Sequence, residues 1–163
     1  MARGEDGRFL FFRRPSAQAD EGCLSQWAPS IFESDGQVFP TVQHYITWRL
    51  ALGLDDEVVA RVRQTDSPAV AAALEPALTE VEDELRLSVA TEGYAARFRS
   101  DRASREFLES TDGLTLAFAA TDQVWGIGVT ARDHRARDPR RWPGSNLCGI
   151  ALMRVRADLL LFG

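Results

Sequence analysis

Residues 24–53 read LSQWAPSIFESDGQVFPTVQHYITWRLALG, and the way this stretch divides sets the architecture. Its first half, 24–39, mixes aromatics, proline and glycine with no sustained period. It is therefore read as irregular, with a hairpin turning at Asp35-Gly36. The second half opens on Pro40-Thr41. It carries Val42, Tyr45, Ile46, Arg49, Leu50 and Leu52 along one face of a helix that stops at Gly53.

Helical signals continue downstream. Asp55 is placed to cap a helix through Val58, Val59 and Val62, and Ser67-Pro68 to cap and open one over 69–74. A longer helix is expected over 79–99, with Val81, Leu85, Leu87, Val89, Tyr94, Ala95 and Phe98 on its buried stripe. Asp101 caps a short helix ending near Glu109, and a last helix covers 146–160. Segments 114–119 and 124–128 are the best strand candidates, and 130–143 is a charged loop with five arginines. Upstream, Phe9–Phe12 is a short apolar run that reads as a strand or an anchor, and residues 1–8 look frayed. The expectation is one mainly α domain over 9–160 with a few short β-strands, preceded by a flexible segment 1–8.

With 163 residues and 45% apolar composition, the chain is long enough for one domain with a real core. No apolar run approaches the ~20 residues of a membrane span, and the first residues lack the order of a signal peptide, so a cytoplasmic protein with no membrane partner is expected. Cys23 and Cys148 suggest neither a CxxC pair nor a disulfide framework and read as buried reduced thiols. The net charge of −5 argues against nonspecific nucleic-acid binding by the whole surface. All 19 basic residues are arginine, so no lysine Schiff base can form. With only His44 and His134 as histidines, no metal and no other cofactor is expected.

Two loops carry unusual residues. Val124-Trp125-Gly126-Ile127-Gly128 sets an indole among glycines, which suits close backbone approach and stacking on a ligand. In Trp142-Pro143-Gly144-Ser145-Asn146-Leu147, the amides of 144–147 stand at a helix N-terminus, which favours an anion. Read as packing, the first is a buried indole in a tight turn and the second a simple N-cap.

The order of motifs adds to this. FLFFRRP, CLSQWAPSIFESDGQVFPTVQHYITWRLAL, EGYAARF, TDQVWGIGVTARD and RDPRRWPGSNLCGIALMRVR follow one another from Phe9 to Arg156. In that order and spacing the chain resembles the YbiA/NADAR family of N-glycoside-cleaving domains. The resemblance implies a single-domain helical fold and cleavage of N-glycosidic bonds to ribose. Family substrates include phosphoribosylaminopyrimidine intermediates of riboflavin synthesis and, in some members, ADP-ribose on guanine in nucleic acid. The implied partner is a small ribose-phosphate or nucleotide ligand, with nucleic acid entering only as an ADP-ribosylated substrate.

Carried over position by position, Leu24, Ser25 and Trp27 match the pocket-lining LSNFYP-like stretch, with Gln26 in the Asn place. Gly36, Phe39 and Pro40 match a DGxxxP turn, and His44 and Tyr45 the HY of a SEHY-type motif. Asp122, Trp125, Gly126 and Gly128 match DRIWGIG. Trp142, Gly144, Asn146, Leu147, Gly149, Leu152, Met153 and Arg156 match WxGxNLLGxxLMxxR. The resemblance thus implies a substrate site of Ser25, Gln26, Trp27, Tyr45, Trp125, Gly126, Gly128, Trp142, Gly144, Ser145 and Asn146.

Departures fall on the groups that would do chemistry. The glutamate before His44 is Gln43, the lysine proposed for a Schiff base falls at Leu50, and a tryptophan early in the long helix falls near Glu82. Three readings follow. In the first, a glycosidase uses reassigned groups, with Asp122 foremost, then His44, then Glu82. In the second, a binding module holds ribose hydroxyls with Gln43, stacks on Trp125 and meets phosphate through Arg140 or Arg141. In the third, the old pocket serves another reaction on a related metabolite.

Overall fold

The computed structural model describes residues 8–163, so the segment expected to be frayed lies, apart from Arg8, outside the described residues. Two parallel strands anchor the chain. β1 (Phe9–Phe12) pairs with β4 (Thr115–Phe118) in the register Phe9↔Thr115 to Phe12↔Phe118. All four residues of β1 are buried, as a strand covered on both faces requires. Leu10, Phe12 and Leu116 face the helices, while Phe9, Phe11, Ala117, Ile127 and Val129 form a smaller cluster on the other side.

The hairpin expected at Asp35-Gly36 is present. β2 (Phe32–Ser34) and β3 (Gln37–Phe39) pair antiparallel around it, with both turn residues at positive φ. α1 (Val42–Ala51) follows at once, its N-terminus capped by Thr41 accepting from the His44 amide. α2 (Asp56–Gln64) is capped by Asp55, and α3 (Pro68–Leu74) by Ser67. α5 (Arg102–Ser110) is capped by Asp101. The longest helix, α4 (Asp83–Ser100), packs with α1 and with α6 (Leu147–Phe162) to enclose the main core. Six α-helices and few short strands among the described residues make this a mainly α fold, as expected. No described helix is long and apolar enough to cross a membrane.

Three expectations need correction. α4 starts at Asp83, not residue 79, because Glu82 immediately before it is extended (φ −81°, ψ 154°), and Leu85 is exposed. Residues 124–128 are no strand. Asp122 Oδ1 accepts from the amides of Val124 and Trp125 and curls the chain into a turn. Nor are the amides before α6 open to an anion. Those of Gly144, Ser145, Asn146 and Leu147 donate to the carbonyls of Ile127, Gln123, Gly126 and Val124. The two glycine-rich loops therefore recognise each other. A Cβ on Gly144 would stand 2.2 Å from the Gly126 carbonyl oxygen, and one on Gly128 2.7 Å from the Gly144 nitrogen.

Asn146 locks this arrangement. It takes a left-handed backbone (φ 52°), which asparagine tolerates better than most residues. Its buried amide accepts from Phe118 N and donates to the Leu116 carbonyl. Asn146→Ala strands both β4 groups, each costing ~1–3 kcal/mol. We expect urea unfolding to show a loss of about 3 kcal/mol.

Candidate active site

α1 and α3 meet through Thr47, whose hydroxyl donates to the Ala71 carbonyl. α3 is short, and Pro76 ends it because proline has no N–H and restricts the residue before it. The chain tightens into a 3-10 turn at Glu75–Ala77. That stop sets Glu75 over the first turns of α1, where Gln43 Nε2 donates to Glu75 Oε1 at 2.6 Å. On its other side, Trp125 Nε1 donates to Glu75 Oε2 at 2.9 Å. The turn capped by Asp122 thus delivers an indole to a carboxylate from a distant part of the chain.

The direction of these bonds is fixed by the tryptophans, since an indole N–H can only donate. Trp27 Nε1 donates to Gln43 Oε1 at 3.1 Å, and Gln26 Nε2 donates to the same oxygen at 2.6 Å. Gln43 must then turn its NH₂ toward Glu75 and Thr47. Glu75 receives a donor on each oxygen, the arrangement that suits an ionised carboxylate. Burial nonetheless raises its pKa above the usual glutamate value. The Trp125 and Gln43 bonds and the Arg86 charge oppose the rise, and Asp122 adds to it.

Around Glu75 lies a cavity of about 320 Å³, with Gln26, Trp27, Gln43, Arg86, Asp122 and Trp125 among its lining. That is at the small end of ligand pockets. Gln26 is buried, and its Oε1 has no hydrogen-bond partner among the described residues, so one acceptor stands ready for a donor.

Of the expected site residues, the structure brings Gln26, Trp27, Gln43, Asp122 and Trp125 to this cavity. His44 is elsewhere. Its Nδ1 accepts from Thr41 Oγ1, its Nε2 donates to the Thr65 carbonyl, and burial lowers its pKa. Both ring nitrogens are thereby engaged, and the imidazole lines a different cavity, beside Trp48. Tyr45 points its hydroxyl at Asp35 and Glu92, and burial followed by those two charges raises its pKa. Ser25 Oγ accepts from the Trp27 amide and shapes the turn. Trp142 donates to the Ala136 carbonyl and packs edge-on to Phe9. Gly126, Gly128, Gly144, Ser145 and Asn146 make the loop-to-loop contact described above and line no part of the cavity. Glu82 does not line it, and Leu50 is core. Arg140 pairs with Asp138, and Arg141 meets His134.

The cysteines are buried and free. Cys148 Sγ lies 2.8 Å from the Tyr94 hydroxyl, and burial pushes both thiols up, Cys23 to about 11 and Cys148 to about 12. No group of three or more His, Cys, Asp or Glu among the described residues is gathered to hold a metal ion.

Glu75 and Arg86 were missed by sequence reading. One local signal existed for Glu75. A glutamate at the carboxyl end of a helix opposes the helix dipole, and Leu74-Glu75-Pro76 puts one there.

A helical body, a parallel strand pair, two interlocked glycine loops and a small cavity that holds a carboxylate define a domain class. The chain belongs to the NADAR domain family, whose profile matches residues 11–160. It is similar to N-glycosidase R617 of Acanthamoeba polyphaga mimivirus, with 25% identity over 94% of this chain and 98% of that protein. It is also similar to Protein irg-1 of Caenorhabditis elegans, with 29% identity over 74% of this chain and 61% of that one. The NMR structure of Escherichia coli YbiA shares the fold, with a TM-score of 0.68 and 21% identity over 94% of this chain and 89% of YbiA.

Proposed function

We propose that the chain hydrolyses a ribosyl N-glycoside, with Glu75 as the ionisable group at the reacting centre. Family membership and the likeness to a protein named N-glycosidase support the reaction class. The observation that carries the assignment is the carboxylate itself, held by Gln43 and Trp125 and bordering the cavity.

The chemistry follows from the transition state. As the bond from C1′ to nitrogen lengthens, positive charge builds on the ribose ring, and a carboxylate beside it lowers that energy. Water adds to C1′, Glu75 takes its proton, and the protonated acid passes it to the departing nitrogen. The free base and the ribose with its phosphate intact, now hydroxylated at C1′, are the products. A carboxyl whose pKa is raised by burial is closer to matching both halves of that task. The unpartnered Gln26 Oε1 accepts from a sugar hydroxyl, and Arg86, which through Nη1 also meets Asp83 and the Val81 carbonyl, lines the side of the cavity suited to a phosphate on the same sugar.

The test is to incubate the chain with ribosylaminopyrimidine phosphate and with ADP-ribosyl substrates, and to follow release of free base. Asp122→Asn serves as the comparison, because an amide oxygen still accepts from the Val124 and Trp125 amides. Its turnover is expected to stay within about tenfold of the unaltered chain, below the effect of losing an acid or base. Ligand-induced stabilisation without any base released would instead mark a binding module and sink the proposal.

A further inference from the structure

The two edges of the β2–β3 hairpin are treated differently. β2 packs on α4, whereas β3 borders the cavity that His44 lines, of about 460 Å³, beside the end of α2. Phe39, Trp48 and Val62 give this cavity apolar walls. Ile31 and Val38 stand at its mouth, 79% and 67% exposed.

The register decides which backbone groups face outward. Bonded and non-bonded pairs alternate along an antiparallel ladder. The two-residue turn at Asp35-Gly36, with both residues at positive φ, closes on the bonded pair Ser34 and Gln37. Glu33 and Val38 are therefore a non-bonded pair, and the N–H and C=O of Val38 point away from β2. Neither group has a partner beyond the hairpin among the described residues. An open edge of this kind is a template for one more strand.

On the far side of the cavity, α2 stops at Thr65, whose extended backbone (φ −108°, ψ 141°) carries Asp66 off the helix. His44 Nε2 fastens the Thr65 carbonyl at 2.9 Å. Arg63 and Asp66 both line the cavity, and neither makes an ion pair among the described residues. A small apolar molecule would leave the Val38 groups and both charges unused. An extended chain uses all of them.

We propose that the β3 edge binds an extended peptide segment of a partner protein. The segment pairs its backbone with Val38, sets a bulky apolar side chain into the cavity, and brings an acidic residue to Arg63 and a basic one to Asp66. The inference does not use Glu75, whose cavity shares no lining residue with this one.

Calorimetric titration with acetyl-Asp-Val-Phe-Val-Arg-amide and its charge-reversed form tests it. Saturable one-to-one binding is expected, about tenfold tighter in the order that sets unlike charges together. Arg63→Ala should narrow that difference to about threefold. Of two analogues, one N-methylated at both valines and one at phenylalanine and arginine, one should bind about tenfold more weakly and the other as before, because alternate amides face Val38. Proline is tolerated where a strand's N–H faces outward, so Val38→Pro should melt like the unaltered chain yet lose at least tenfold in affinity. Absence of peptide binding overturns the proposal, and so does full binding by Val38→Pro. Phenylalanine amide bound as tightly as the peptide would mark a small-molecule pocket instead. Self-association of the chain that Val38→Pro abolishes would give the edge to a second copy, and would overturn the proposal too.

Discussion

Glu75→Gln is expected to slow release of free base by about 10²–10⁴, the usual range for a well-placed acid or base, while the chain stays folded. Glutamine has the shape of glutamate, so the change removes charge and proton transfer and little else. One bond suffers. Gln43 Nε2 and Trp125 Nε1 both donate to Glu75, and an amide offers an oxygen to only one of them. Offsetting that loss, a carboxylate is no longer confined in a part-buried place. Measured by steady-state turnover beside a urea melt, the variant should separate activity from stability. Wild-type turnover in Glu75→Gln would rule Glu75 out.

The pH dependence has a definite sign. Burial raises the folded pKa of Glu75 above its unfolded value. The folded state therefore holds the proton longer than the unfolded state does. Its contribution to stability is fully present below the ordinary glutamate value and is lost as pH rises through the folded value. Relative to Glu75→Gln, the unaltered chain should lose stability over that window. Turnover should rise over the same window as the carboxylate forms, so activity and stability run in opposite directions.

Much of the fold was legible because local chemistry and tertiary packing agree. Thr41, Asp55, Ser67 and Asp101 all cap helices where a hydroxyl or carboxylate precedes an apolar period. The 124–128 segment was misread because its apolar residues suggest a strand, whereas Asp122 and the partner loop hold its backbone. The candidate site was half legible. Gln26, Trp27, Gln43, Asp122 and Trp125 come from motifs, and they do meet. Glu75 was hidden because its place at the candidate site is set by long-range packing. It lies 32 residues from Gln43 and 50 from Trp125, and only the packing of α3 on α1 unites them. His44 misled for the opposite reason. Its neighbour on α1 faces the cavity, and a one-residue step turns the side chain to another face.

The departure at Gln43 and the presence of Glu75 are two halves of one arrangement. Gln43→Glu sets a second carboxylate where an amide now stands 2.6 Å from Glu75 Oε1. Two carboxylates at that distance cannot both stay ionised, so the pair shares a proton. Keeping one protonated near pH 7 costs about 1.4 kcal/mol per pH unit above its ordinary pKa, so a loss of roughly 3 kcal/mol is expected, shrinking as pH falls toward about 5. Turnover should fall with it, because the shared proton neutralises Glu75. The exchanged pair, Gln43→Glu with Glu75→Gln, should behave differently. A carboxylate at 43 still accepts from Gln26 and Trp27, and an amide at 75 donates to it while accepting from Trp125; the bond that Gln43 donates to Thr47 is lost, while the Thr47 hydroxyl keeps its acceptor in the Ala71 carbonyl. Every donor then meets an acceptor. The double variant should recover most of the stability lost by Gln43→Glu, giving a coupling energy of about 2–3 kcal/mol in a double-mutant cycle. Additive losses would show that the two side chains do not act as a unit. Recovered stability without recovered turnover would show that the carboxylate must stand on the α3 side, where Glu75 now holds it.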